Sequence, residues 1–535
     1  MDRRSFLLAA GAGATLAAGG AGYWRWQELT PRIDAGGRQA GHFLRDRRAL
    51  PLPSYTLHTD VAILGSGVAA MTAAWKLQRE GLHNFLVLEG PEKYGNVAGG
   101  RFGELAFPTG AHYLPLPSVE AFHVREMLHD LGVIQKNPTA AKPYYDERYI
   151  LHAPEERVLF NGRWQEGILP REGVSATELA EHDRFSREMT RLKELRGSDG
   201  KRIFVMPSVL SSTDPIWLAL DRISFKQWLQ EQGYRAPTLH WYADYCTRDD
   251  YGTSYDGVSA WAGLHYFCSR GGEAENASPG AWLTWPDGLE PLLRGLDTAA
   301  GSRRRPGMAT SVRAVSDGVE ITCVEFVDGV PRSFLIKARK AICAMPLFVA
   351  ARIVDGIAAL GFDAARHMPT YAPWLVANFL MRQFPQELPE VSLSWDNVVY
   401  GSTGLGYVVS THQDIRVAPP EKTVLTSYLA LADLTPQAAQ KWLDTASPAA
   451  LLERASADLR SAYGSRFAAQ VERVDITLRA HAMAIPRPGF RSNAGLQALR
   501  EVDGAVLFAH ADLSGFSVFE EAAWWGYTAA QKVLR

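Results

Sequence analysis

Residues 60–90 read DVAILGSGVAAMTAAWKLQREGLHNFLVLEG, and no other stretch restricts the fold as strongly. Asp60 to Leu64 is an apolar strand, and Gly65-Ser66-Gly67 is a tight turn. Val68 to Arg79 is a proline-free helix, and Asn84 to Leu88 is a second apolar strand ending at Glu89. Strand, G-x-G-x-x-A turn, helix and strand within about 30 residues predict a dinucleotide-binding α/β unit. Gly65 permits the turn, Gly67 leaves room for a pyrophosphate, and Ala70 lets the helix pack closely on the strand. Unpaired N–H groups at a helix start, with its partial positive charge, favour phosphate. The candidate phosphate cradle is therefore Gly65, Ser66, Gly67, Val68, Ala69 and Ala70, with Glu89 placed to accept from ribose hydroxyls.

The unit alone does not separate NAD from FAD. The next segment, GNVAGGRFGELAFPTGAHYLP, carries Gly99-Gly100-Arg101 and then Gly110-Ala111-His112-Tyr113. Here the chain resembles the flavin-containing amine oxidase superfamily, which includes monoamine and polyamine oxidases and phytoene-type desaturases. The resemblance implies bound FAD, with Gly99, Gly100 and Arg101 wrapping the pyrophosphate and flavin and Gly110-Ala111 abutting the isoalloxazine. Pro108 stands where the family usually has Asp. Further matches are the turn Trp285-Pro286-Asp287-Gly288-Leu289 and an alternating hairpin around Gly318, in which Val312 takes the place of an adenine contact. At the C-terminus, GAVLFAHADLSGFSVFEEAAWWGYTAAQKVL aligns Asp512, Glu521, Ala523 and Gly526 with the segment that lies on the flavin. His510 and Ala522 replace glycines there.

The implied architecture is α/β: a Rossmann-like FAD-binding domain, a central parallel sheet with a β-hairpin segment, carrying an inserted α+β substrate domain. The expected division gives residues 60–120, 281–370 and 481–535 to the FAD domain and 121–280 and 371–480 to the substrate domain. Residues 23–59 are read as a linker. A chain of 535 residues exceeds what one core usually holds, which agrees with two domains.

The expected chemistry is hydride transfer from a C–H of a small organic substrate to flavin N5, with O2 or a quinone as reoxidant. An amine is the first candidate substrate. The catalytic candidates are His112 and Tyr113 from the Gly-Ala turn, Phe519 at the place of an aromatic cage member, Trp524 in the flavin-facing helix start, and His481 as an acid or base. Residues 372–381 contain no Lys, although many amine oxidases place one near N5. Two alternatives stay open: a desaturase or dehydrogenase of an apolar molecule, and a non-catalytic binding protein on the same fold. The stretch YCTRDDYGTSYDG, residues 245–257, is dense in aromatics and carboxylates and fits either a substrate lid or interdomain packing.

The formal net charge of −2 argues against nucleic acid as a partner. The basic run Arg303-Arg304-Arg305, bounded by Gly and Pro, is expected to be a solvated loop. No cysteine or histidine spacing suggests a metal, and Cys323 and Cys343 read as buried strand residues. Residues 1–22 begin MDRRSFLLAAGAG and resemble a twin-arginine export signal, with Arg3-Arg4 before an Ala/Gly-rich apolar run. That resemblance implies the twin-arginine machinery as a partner and a periplasmic location for the folded protein. The same segment is compatible with retention as an N-terminal membrane anchor.

Overall fold

The computed structural model describes residues 26, 29–46, 49–385, 387, 391–418 and 420–535. The export-signal expectation for residues 1–22 lies outside them. At the centre, Thr56–Leu64 is flanked in parallel by Phe85–Leu88 and by Val330–Cys343, with Leu64 opposite both Leu88 and Cys343. Val61, Ala62, Ile63 and Leu64 are all buried, as a parallel strand covered on both faces requires. One edge of Val330–Cys343 is shared. Its first half pairs antiparallel with Gly318–Val327, which pairs in turn with Met308–Val315, and its last three residues pair in parallel with Val506–Phe508. The expected hairpin therefore leads straight into the central strand.

Helix Val68–Arg79 is buried at every residue from Val68 to Leu77, so it is packed on all sides and not merely on one stripe. Helices Glu290–Ala300 and Phe519–Leu534 both pack against it. The side chain of a residue at Gly526 would place its Cβ 2.1 Å from the Ala69 carbonyl oxygen, so the two helices meet backbone to backbone.

A second sheet has eight strands, in the order Arg32–Asp34, Val471–Ala484, Tyr371–Met381, Thr423–Leu429, Tyr407–Val409, Asp396–Val399, Glu156–Phe160, Arg163–Glu166. All eleven residues of Tyr371–Met381 are buried, and they alternate between two cores. Leu375, Ala377, Phe379 and Met381 pack under helices Pro436–Thr445 and Pro448–Ala455. Ala372, Trp374 and Val376 face an aromatic cluster that includes Tyr245, Trp395 and Tyr428. A helical block, Ala176–Glu194, Phe225–Glu231, Pro237–Tyr251 and Ala260–Cys268, has its own core around Phe225 and Trp261.

Four expectations are corrected by this arrangement. The stretch 23–59 is not only a linker: Arg32–Asp34 adds an edge strand beside Asp475–Thr477, and Thr56 already belongs to the central sheet. Helix Phe122–Asp130 buries Val124, Met127 and Leu128 in the FAD-side core, so that core continues past residue 120. Strand Val471–Ala484 belongs to the second sheet throughout, which moves the last boundary beyond residue 481. Arg304-Arg305 is no solvated loop but a short strand parallel to Val87-Leu88. All four cysteines are free and buried. No helix among the described residues is long and apolar enough to cross a membrane.

Candidate flavin and substrate site

The candidate phosphate cradle has close backbone contacts on one side and open space on the other. Gly65 has φ +128°, and a Cβ there would lie 2.5 Å from the Ala344 carbonyl oxygen. Gly67 caps the helix at its N-terminus, and a Cβ on it would meet no protein atom within 4 Å. Ser66 fixes the turn by donating its hydroxyl to the Glu89 carbonyl at 2.7 Å. Val68, Ala69 and Ala70 form the first helical turn, which is buried. Glu89 follows the second strand and is paired with Arg304 at 3.1 Å.

Gly99 and Gly100 start the hairpin Gly99–Phe102 with Leu105–Pro108. A Cβ on Gly99 would crowd the Asp287 carbonyl oxygen at 2.9 Å, and one on Gly100 would strike the Phe107 ring at 2.3 Å. Both positions are thus fixed by protein packing. Arg101 is exposed and donates to the Glu104 carbonyl at 2.8 Å. Gly110 and Ala111 pack on Asn96, whose carbonyl accepts from Ala111 N at 2.8 Å. Leu289 N donates to the Ala111 carbonyl at 3.2 Å, which joins the expected Pro-x-Gly-Leu turn to the Gly-Ala turn.

Val312 is fully buried, and its carbonyl accepts from Asp355 N at 2.9 Å, which occupies one of the two lone pairs of that oxygen. Asp512 accepts from Leu347 N at 2.9 Å and from the Tyr371 hydroxyl at 2.6 Å through one oxygen. Its other oxygen, Oδ1, is buried without a hydrogen bond, with His510 Nδ1 at 3.2 Å. Burial pushes this carboxyl up, but the neighbouring His510 and Tyr371 outweigh it and hold the acid below its ordinary range. Glu521 accepts from Ser208 N at 2.5 Å and from the Ser514 hydroxyl, so its carboxylate binds protein rather than cofactor. Ala523 is fully buried in the same helix start.

An open glycine at a helix start, an acid at the end of the adjoining strand and an orphaned carboxylate oxygen at the C-terminal segment suit FAD. They offer, in order, room for a pyrophosphate, an acceptor for a ribose and an acceptor for a ribityl hydroxyl.

Beside the Gly-Ala turn lies an aromatic cluster. The His112 ring stacks on Tyr428 at 4.5 Å and lies 5.3 Å from Trp395. Tyr428 donates its hydroxyl to the Gly110 carbonyl at 3.1 Å, tying the cluster to the turn. Burial drives the His112 pKa down to about 3, so this imidazole is neutral at physiological pH and a weak proton acceptor. Tyr113 packs edge-on against Trp282 at 4.8 Å and donates to Asp249 at 3.2 Å.

Asp249 stands in a group of acids. Burial and then the charge of Asp250 push its carboxyl up to about 7, against the opposing pull of Arg270. Asp250 itself is ion-paired with Arg270, whose guanidinium lies 3.9 Å from the Tyr266 ring centre. Asp396 and Glu156 are register partners on adjacent parallel strands. Burial, then Asp249 and Glu156, raise the Asp396 carboxyl, and burial raises Glu156 to about 7. A cavity of about 190 Å³ is lined by Tyr242, Tyr266, Arg270 and Trp282, the last of which contacts Tyr113.

The other catalytic candidates lie elsewhere. Trp524 sets its ring against Phe122 and His123, at 6.0 and 5.3 Å, on helix Phe122–Asp130. Phe519 is buried in the FAD-side core. His481 rests on Phe348 at 4.7 Å and near Tyr371, beside Asp512. Of the five, the structure brings only His112 and Tyr113 together. The sequence reading missed Asp249, Asp396, Glu156, Trp395 and Tyr428. Asp249 fell within the acid-rich aromatic stretch already singled out, whereas nothing local marks Glu156 and Asp396 as neighbours.

The family model described as flavin containing amine oxidoreductase matches residues 69–534. Solved structures share the fold at low sequence identity. Putrescine oxidase bound to putrescine is 16% identical, covers 90% of this chain and 99% of its own, and gives a TM-score of 0.60. Cyclohexylamine oxidase from Brevibacterium oxydans IH-35A is 18% identical over 89% of this chain and 98% of its own, with a TM-score of 0.59. A fatty acid isomerase from P. acnes that produces CLA is 15% identical over 88% and 98%, with a TM-score of 0.57. No curated protein sequence matches the chain.

Proposed function

Since the chain belongs to the flavin-containing amine oxidoreductase family, and so is an FAD-dependent oxidoreductase, we propose that it oxidises a small amine in a chamber beside the Gly110-Ala111 turn. The observation that carries this reading is Asp249, hydrogen-bonded to Tyr113 and grouped with Asp396 and Glu156 inside aromatic walls. Carboxylates pushed up by burial gain most from a cation, which relieves the cost of ionising them. Aromatic faces add attraction for an ammonium. An apolar alkene would offer neither, and a chamber for one would have no use for these acids. That weighs against the desaturase reading.

When bound, FAD supplies the two-electron acceptor, taking hydride from the substrate C–H at N5. Gly67 with the first turn of helix Val68–Arg79, Glu89 and Asp512 would hold it. The chain's own part is to bind, orient and deprotonate. His112, Tyr428 and Trp395 wall the chamber and exclude water. Tyr113 steadies the Asp249 carboxylate, which pairs with the incoming ammonium and then accepts its proton at Oδ. Loss of that proton frees the nitrogen lone pair, which would stabilise the iminium left when the C–H bond gives up its hydride; release of a second proton would then give the imine. O2 or a quinone would serve as the reoxidant.

The reading extends to location: the twin-arginine-like start would export the protein already folded around its cofactor. The direct test of the chamber is the pH dependence of kcat/KM for an amine. It should rise as pH passes through about 7, where Asp249 ionises, and D249N should lose at least about 100-fold. A D249N enzyme with unchanged kcat/KM at every pH would refute the assignment.

A further inference from the structure

The Arg303–Arg305 run, which its Gly and Pro neighbours made look like an ordinary loop, lies against the nucleotide end of the site. Arg304 and Arg305 pair in parallel with Val87 and Leu88, and Glu89 N donates to the Arg305 carbonyl at 2.9 Å. The Arg304 side chain is only 14% exposed. One of its terminal nitrogens meets Glu89 Oε1 at 3.1 Å and the other meets Asp297 at 2.9 Å. That second nitrogen also lies 3.7 Å from Met71 Sδ in the helix above, and the guanidinium is 5.3 Å from the Tyr94 ring centre. Tyr94 closes the arrangement by donating to Asp297 at 2.8 Å. Four separate pieces of chain therefore fix one cation.

We propose that Arg304 is a positioning residue for the adenosine ribose of FAD: it holds Glu89 by one oxygen and leaves the other to accept from the ribose 2′-hydroxyl. The inference rests on the reading that Glu89 faces that ribose. A carboxylate at a strand end, with no partner, rotates freely and is solvated. One oxygen pinned by a guanidinium, itself anchored by Asp297, sets both the plane of the carboxylate and its distance from the turn at Gly65–Gly67. A lysine in this place would supply one point charge and could not span both acids with a fixed fork.

The test uses the full-length protein stripped of flavin and titrated with two ligands, FAD and FAD whose adenosine ribose lacks the 2′-hydroxyl, with flavin fluorescence as the readout. The wild-type protein should prefer FAD by roughly tenfold, the value of one hydrogen bond to a charged group. R304M should bind FAD roughly tenfold more weakly and lose most of that preference. R304K should keep part of it, and if R304M does not fold, R304K is read alone, with a reduced preference expected. Equal weakening toward both ligands would mark Arg304 as merely structural and overturn the proposal. So would an unchanged affinity for FAD, an R304K preference equal to wild type, or a wild-type protein indifferent to the 2′-hydroxyl.

Discussion

Asp249 is costly to the fold for the same reason that it suits an ammonium. Its carboxyl moves from the ordinary 3.8 to about 7, first by burial and then by the charge of Asp250. Between those values the folded chain keeps a proton that the unfolded chain releases. This contribution to stability is therefore complete below about pH 4 and is lost as pH rises through about 7. D249N removes the ionisation, so at pH 8 the variant should be more stable than wild type, on the order of 2 kcal/mol, even while it loses turnover. Denaturant unfolding of the two proteins at pH 5 and pH 8 checks this, and equal stabilities at pH 8 would show that Asp249 ionises without penalty. The five catalytic candidates read from sequence met different fates at this scale. His112 and Tyr113 follow directly on the Gly-Ala turn, so local sequence was enough to place them. Trp524 and Phe519 were placed by a linear pattern on a helix whose other faces carry core packing, and the pattern does not say which face meets the flavin.

Two glycines separate what the elements need from what the cofactor needs. At Gly526 a Cβ would lie 2.1 Å from the Ala69 carbonyl oxygen, whereas at Gly67 it would meet no protein atom within 4 Å. G526V should therefore cost the protein without flavin about 3 kcal/mol through forced separation of the two helices. G67V should leave the stability of that form unchanged and weaken FAD binding by at least about 100-fold. Unfolding curves without flavin, together with flavin titrations, separate the two effects. An equal loss of stability in both variants would contradict the open cradle. The strand–turn–helix–strand unit was legible because a short apolar run, a G-x-G-x-x-A turn, a proline-free helix and a second apolar run ending in an acid follow one another at fixed spacing. The Arg304-Arg305 strand was not legible, because two residues carry no period and flanking Gly and Pro mimic a loop. Val312 was placed by resemblance alone, and the bulge between Ala309 and Ser311 beside it is a feature no local pattern announces.

Across the whole molecule, the site is assembled from parts far apart in sequence. Tyr113 follows the FAD-side turn, Asp249 comes from the helical block, and Asp396 and Glu156 come from neighbouring strands of the second sheet. Strand order in that sheet crosses some 240 residues between Arg157 and Asn397, so no local reading could join those two acids. Arg479 fastens the halves: it pairs with Glu92 at 2.8 Å and donates to the carbonyls of Gly95 and Thr109, each at 3.2 Å. R479M should destabilise the protein by about 1–2 kcal/mol, since two part-buried carbonyls and Glu92 lose their partner, and should speed loss of FAD. Unfolding and flavin-release rates measure it, and a variant equal to wild type in both would remove the fastening role. The proposed export is tested at the scale of the whole chain as well. Replacing Arg3 and Arg4 with Lys should abolish the periplasmic fraction while the protein inside the cell stays yellow and folded; an undiminished periplasmic fraction would exclude the twin-arginine route.

The central claim is that an amine donates hydride to FAD under the control of the Asp249 chamber. Anaerobic mixing of the yellow holoprotein with polyamines, simple amines, amino acids and apolar alkenes, followed by the visible flavin band, tests it most directly. The account predicts that at least one amine bleaches the flavin at pH 8, that bleaching slows below about pH 7, and that D249N bleaches far more slowly with the same compound. Bleaching by an apolar alkene with none by any amine would contradict it.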